Sequence, residues 1–301
     1  MDEVTQQGRA ARRPGFGAPT WPLDLAGARI LVANDDGIDA PGIKVLESVA
    51  HALSRDVWVV APQEEQSAAG HSLTLSRPLR IREITDRRFA VDGTPTDCVM
   101  LAVNHLLRDH PPDLVLSGVN RGGNVGEDVT YSGTVAAAME ATLLGVPAIA
   151  LSQDVMPGEK PHWETAELHA ADVIRRLVGA GWPSGVLINV NFPAVPPDAV
   201  SRVIVSRQGR RKTGNHLVAG TDPRGRPYYW IAGLRPEDEA LTGTDLAALN
   251  HRGIALTPIQ MDMTHAPTIR TLAGVLAHSA PRSSPASHRR KSRTAPGRKR
   301  K

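Results

Sequence analysis

The sequence is poor in sulfur and in aromatic rings, and each shortage narrows what the protein can be. Of its 301 residues one is cysteine, Cys98. A single thiol cannot close an intrachain disulfide, which excludes a disulfide-stapled scaffold and suits a reducing, cytoplasmic compartment. Aromatic residues make up 4% of the chain and apolar residues 41%, so a sizeable core has to be built from Val, Leu, Ile and Ala. No apolar run approaches the roughly 20 residues of a membrane span, and the opening stretch MDEVTQQGRAARRPGFGAP lacks the apolar segment of a secretory signal. Three signature loops are also missing. Without G-x-x-x-x-G-K-[ST] the chain is no P-loop NTPase, and without G-x-G-x-x-G after the first strand dinucleotide binding loses its main support. Without G-x-S-x-G there is no nucleophile elbow of an α/β-hydrolase.

Charge is unevenly spread. The formal net charge is +4, but residues 282–301 hold nine Lys or Arg and no acid, which leaves 26 basic against 31 acidic residues elsewhere. The basic end reads as a solvated, disordered tail over 266–301, with non-specific nucleic-acid contact as its secondary reading. Residues 1–27 are rich in Gly, Pro and Arg without periodicity and read as a disordered leader. The body between them spans 28–265.

Within that body apolar runs alternate with amphipathic stretches. Ala28–Ala33, Val57–Ala61, Leu114–Leu116, Val146–Ser152 and Val186–Val190 read as buried strands. Helices are expected from Pro41, with Ile43, Leu46 and Leu53 on one face, and from Pro95, capped by Thr94. Two more are expected over Ser132–Leu144 and Glu164–Val178. Continuous apolar strands alternating with helices imply a mostly parallel α/β sheet covered on both faces, Rossmann-like in class. Ligands of such sheets bind beyond the carboxyl ends of the strands. After about residue 200 the texture loosens into a smaller C-terminal part. Asp222-Pro223-Arg224-Gly225 is a turn sequence, so residues of about 203–233 are expected to project as an extended hairpin. Ile254–Thr257 is a last strand candidate.

The polar clusters fall where that topology expects a site. Asn34-Asp35-Asp36-Gly37 ends the first strand. Adjacent carboxylates there repel each other and lose hydration, a cost that a divalent cation between them relieves; the same quartet also suits a plain tight turn. Ser67 follows the second strand, and Asn120 and Asn124 lie in SGVNRGGNVGED after the third. Asp35, Asp36, Ser67 and Asn120 together offer only oxygen ligands, which favours Mg²⁺ or Mn²⁺ over zinc, since no Cys or His pair accompanies them. Tyr131-Ser132-Gly133-Thr134 opens the Ala-rich helix. Ser132 can cap it, and the Gly133 and Thr134 amides at its positive end suit a phosphate. His71, near Ser67 in sequence, reads as a hydrogen-bonded structural residue.

ILVANDDGIDAPGI, VVAPQEEQSAAGHSLTL, VDGTPTDCV, DLVLSGVNRGGNVGEDVTYSGTVAAAMEATLLGVPAIALS and LINVNFP, in this order, resemble the SurE family of stationary-phase survival proteins, which are 5′(3′)-nucleotidases. SRQGRR and TGTDLAALNHRGIALTPIQMDMT resemble its later elements, and coverage runs from about Arg29 to Thr264. The resemblance implies a Rossmann-like domain whose extended arms build homodimers or homotetramers. It implies one divalent metal ion per subunit on Asp35, Asp36, Ser67 and Asn120. It implies phosphate binding by Ser132, Gly133 and Thr134 with Asn124 nearby, and hydrolysis of nucleoside monophosphates. Asp35 and Asp36 are then the catalytic pair, acting on an attacking water, with a carboxylate nucleophile as the open alternative. A non-catalytic nucleotide-binding module is the competing class. The leader and the basic tail lie outside the resemblance.

Overall fold

The computed structural model describes residues 20–211, 213–234 and 241–277, with side chains in the hairpin described for 217–231. Strands and helices alternate as β1 (Arg29–Ala33), α1 (Pro41–His51), β2 (Asp56–Pro62), β3 (Ile81–Thr85), β4 (Arg88–Val91), α2 (Pro95–Leu101) and β5 (Leu114–Arg121). They continue as α3 (Gly133–Leu143), β6 (Ala148–Gln153), α4 (Trp163–Ala180), β7 (Val186–Phe192) and β8 (Val203–Val205). The remainder is β9 (Thr213–Thr221), β10 (Pro227–Leu234), α5 (Asp245–Asn250), β11 (Ile254–Gln260) and, in a separate unit after Met261, α6 (Ala266–Ala277).

Among the described residues nine strands form one sheet in the order β3-β4-β2-β1-β5-β6-β7-β11-β8. The run from β4 to β7 is parallel throughout, while β3 and β11 lie antiparallel to their inner neighbours. The expected mostly parallel sheet is therefore present. Side chains alternate across it as strand geometry requires. Ile30 and Val32 face a core shared with Ile43 and Leu46 of α1 and Ile174 of α4. Leu31 and Ala33 face another, shared with Val99 of α2 and Val135 of α3. Two buried faces explain why the strands read as unbroken apolar runs rather than alternating ones.

Local signals placed the helices well. Thr94 accepts the Asp97 amide (3.1 Å) while Asp97 accepts the Thr94 amide (2.9 Å), a reciprocal cap ahead of Pro95. Ser132 caps α3 by accepting the Val135 amide (3.1 Å). Gly42 lets α1 lie against β5, since a Cβ there would sit 1.9 Å from the Val119 carbonyl oxygen.

Four expectations shift. Strand β5 runs on through Ser117-Gly118-Val119-Asn120, read from sequence as loop, with an irregular register between Ser117 and Asn120. Val203–Val205 belongs to the main sheet, paired parallel to β11, so the projecting arm is β9 and β10 alone. Its turn is the expected one: Asp222 accepts the Gly225 amide on its carbonyl (2.9 Å) and the Arg224 amide on its carboxylate (2.8 Å). Residues from Thr20, expected to be a loose leader, pack on the body: the Trp21 ring lies 4.5 Å from that of Trp182, and its Nε1 donates to the Trp182 carbonyl (2.9 Å). Single apolar residues among Gly and Pro carry no period, which hid this contact. Ala266–Ala277, expected to open the disordered tail, is helical. The leader before Thr20 and the tail after Ala277 lie outside the described residues.

Candidate active site

Strand β1 pairs with β2 on one side and β5 on the other. The chain therefore reverses its direction of sheet growth at β1, and the loops leaving β1 and β5 splay apart there to open a cleft. Three loops meet at this point. The Gln66 amide donates to the Asp35 carbonyl (2.8 Å), the Gly70 amide to the Tyr131 carbonyl (3.2 Å), and the Ile38 amide to the Pro62 carbonyl (2.8 Å). Asn34 is buried, and its Nδ2 donates to the Gly37 carbonyl (2.8 Å), closing the turn that presents the two aspartates.

The result is an open cleft of about 760 Å³. Asp35, Asp36, Ser67, Asn120, Asn124 and Ser132 all line it, joined by Glu65 and Asp128. Six of the eight residues singled out in the sequence thus share one cavity. Tyr131, Val155 and Ile231 of the hairpin add an apolar wall.

The remaining two, Gly133 and Thr134, are buried beside the cleft and have a different partner. The Thr134 hydroxyl donates to Asp35 Oδ1, and the backbone amides of Gly133 and Thr134 both favour the charged Asp35 carboxyl. A Cβ on Gly133 would meet Asp35 Cβ at 2.7 Å and Oδ2 at 2.9 Å. The Gly133 and Thr134 amides, expected to face a phosphate, are thus turned to the protein's own Asp35 carboxyl. Sequence reasoning missed this because adjacency of β1 and α3 is a tertiary fact.

Electrostatics raise the pKa of both acids. Burial raises the Asp35 pKa above its ordinary value, against the Thr134 hydroxyl and the α3 amides. Asp36 is pushed up to about 6, first by burial and then by the Asp35 charge, with Glu65 adding to it. The Arg121 amide, which donates to Asp36 Oδ2 (3.3 Å), and the Arg121 guanidinium oppose the rise. Two carboxylates held unfavourably charged at a strand end are what a divalent cation would relieve. The other oxygens fit the same role: Asn120 Nδ2 donates to the Gly122 carbonyl (2.9 Å), leaving the amide oxygen as acceptor, and Ser67 Oγ, bonded to Glu65 (2.7 Å), keeps lone pairs. Among the described residues no three His, Cys, Asp or Glu side chains gather in a metal cage, so a cation here would depend on Ser67 and Asn120.

Beneath the cleft lies a buried amide network that sequence reasoning did not single out. Asn191 brackets the Asn124 backbone, its Oδ1 accepting the Asn124 amide (2.7 Å) and its Nδ2 donating to the Asn124 carbonyl (3.2 Å). Asn189 Nδ2 donates to the same carbonyl (2.7 Å), and Asn124 Nδ2 donates to Ser152 Oγ (2.8 Å). The available signal was Asn189-x-Asn191 in an otherwise apolar strand: residues two apart share a face, and buried amides need partners. The far side of the loop is fixed by Asp245, fully buried, which accepts the amides of Gly126 (2.9 Å), Gly209 (2.8 Å) and Leu246 (2.9 Å). Arg211 donates from Nε (2.8 Å) and Nη2 (2.6 Å) to Asp128. His71 Nε2 pairs with Glu140 (3.0 Å), a structural contact as expected.

The chain is similar to known proteins in both sequence and fold. The family described as Survival protein SurE matches residues 30–215. A Paramagnetospirillum magneticum protein named 5′-nucleotidase SurE is 58% identical over 258 residues, covering 84% of this chain and 98% of the relative. A Caulobacter vibrioides protein of the same name is 53% identical over 258 residues, with 84% and 98% covered. The crystal structure of the SurE protein from Aquifex aeolicus superposes with a TM-score of 0.72 at 36% identity, covering 82% of this chain and 99% of that one. The chain belongs to the SurE survival-protein family.

Proposed function

We propose that the protein is a metal-dependent phosphomonoesterase that hydrolyses nucleoside 5′-monophosphates, with 3′-monophosphates as the alternative class, to nucleoside and phosphate. The observation that carries this is the convergence of Asp35, Asp36, Ser67 and Asn120 from three strand ends on one cleft, with both carboxyls shifted upward by burial. The names of the nearby relatives point to the same reaction. Asp35, Asp36, Ser67 and Asn120 would hold one Mg²⁺ or Mn²⁺ per subunit. When bound, that ion supplies charge neutralisation and polarisation of a phosphoryl oxygen.

The chain's own residues do the rest. Asp35 is locked by Thr134 and the start of α3 and serves as the fixed ligand. Asp36, tethered by one amide at 3.3 Å, orients the attacking water. Ser132 and Asn124 present polar groups to the phosphate from the cleft wall. Gly133 and Thr134 act on the phosphate indirectly, by fixing Asp35. Tyr131, Val155 and Ile231 give the nucleoside an apolar surface. The hairpin exposes Leu217, Tyr229 and Trp230, a surface suited to homodimers or homotetramers. No described helix is long and apolar enough to cross a membrane, and the single cysteine favours a cytoplasmic setting.

Phosphate release from AMP and GMP, measured colorimetrically with Mn²⁺ and then with EDTA, tests the reading. Release with Mn²⁺ that stops on chelation is expected. No release from either nucleotide with Mn²⁺ would leave a nucleotide-binding module in its place.

A further inference from the structure

The start of α3 is occupied by Asp35, and Gly133 and Thr134 do not line the cleft. A phosphomonoester bound there therefore needs positive charge from elsewhere. The demand is large, because the lining carries Asp35, Asp36 and Glu65 besides the Asp128 that Arg211 pairs, and a phosphomonoester brings close to two negative charges at neutral pH. A single divalent ion does not balance that sum.

Among the described residues lining the cleft, Arg121 is the only cationic side chain. It ends β5, directly after Asn120, and its amide is bonded to Asp36, so it stands beside the paired acids. Its side chain is exposed, and no hydrogen bond or ion pair of its guanidinium is found with the described residues. Arg211, the other guanidinium close by, is already engaged by Asp128 and by the Gly123 carbonyl (3.1 Å). A guanidinium offers five donors in a planar fork that matches two phosphate oxygens, which an ammonium cannot reproduce.

We propose that the Arg121 guanidinium binds the phosphate group of the substrate, gripping oxygens on the side away from Asp35. This rests on the nucleotidase reading for its substrate, but the phosphate contact can be measured without turnover. The experiment compares the full chain with Arg121→Ala and Arg121→Lys. Inorganic phosphate is titrated calorimetrically in the presence of Mn²⁺, Mn²⁺ is titrated alone, and kcat and KM are taken for AMP. Loss of a charge-assisted contact should weaken phosphate binding and raise KM by about 10- to 100-fold in Arg121→Ala. The lysine variant should recover part of it, and Mn²⁺ should bind the alanine variant at least as tightly as the parent. Unchanged phosphate affinity would overturn the proposal. So would a loss of phosphate binding that merely follows weakened Mn²⁺ binding, since Arg121 would then be shaping the acids rather than gripping the substrate. If the parent protein binds phosphate through Arg121 but releases none from AMP, the nucleotidase reading fails while the phosphate site stands.

Discussion

Asp36→Asn should make the metal-free protein more stable while making the metal-loaded protein less so. In the folded chain the Asp36 carboxyl is raised from 3.8 to about 6, so the folded state prefers it protonated. The contribution of this group is then most favourable below about pH 4, falls as pH rises toward 6, and stays at that lower level above. At about 1.4 kcal/mol per pH unit the ionised group costs the fold about 3 kcal/mol at neutral pH. Asparagine keeps the shape and an oxygen for the Arg121 amide but carries no charge. In EDTA at pH 7.5 the variant should gain up to about 3 kcal/mol, roughly 6–10 °C in Tm for a domain of this size, and the two curves should converge near pH 4. Saturating Mn²⁺ should reverse the order, because ligand at about 1,000 times Kd stabilises the parent by about 4.1 kcal/mol, more than the charge costs it, and the variant by much less. Phosphatase activity should nearly vanish. Urea denaturation at both pH values, with and without Mn²⁺, reads all of this. A variant less stable than the parent in EDTA at pH 7.5 would show that the Asp36 charge is not held at a cost, and the electrostatic case for a cation site would fall with it.

Two further substitutions probe the supports of the site. Gly133→Ala places a methyl 2.7 Å from Asp35 Cβ, so Asp35 or α3 must shift; kcat/KM for AMP should fall at least about tenfold and Mn²⁺ affinity should weaken in calorimetry, whereas full activity would mean that Asp35 has room to move. Asn191→Leu strips the bracket from the Asn124 backbone and leaves a buried amide short of a partner, at a cost of about 2–3 kcal/mol. Denaturant unfolding and faster hydrogen exchange at Asn124 should both report it, and a change below about 0.5 kcal/mol would place the loop's rigidity elsewhere, in Asp245.

The parts of this molecule that could be read from sequence are those set by near neighbours along the chain. Strand β1, the Thr94 and Ser132 caps, and the Asp222–Gly225 turn each follow from residues within four positions of one another. The paired acids were legible because adjacent carboxylates at a strand end are costly wherever they occur. What escaped depends on contacts between distant segments. Asp35 meets Thr134 across 99 positions, and Asn124 meets Asn191 across 67. The Gly133 and Thr134 amides were recognised as an anion cradle, but its occupant comes from another strand. Val203–Val205 was assigned to the arm because three residues beside a loosely patterned stretch give no period, and only pairing with β11 fixes their place.

Arg211 sits two residues before β9 and is fastened to Asp128 and to the Gly123 carbonyl at the cleft's rim. The chain leading into the ribbon and the loop that bears Asn124 therefore share one anchor at the rim of the cleft.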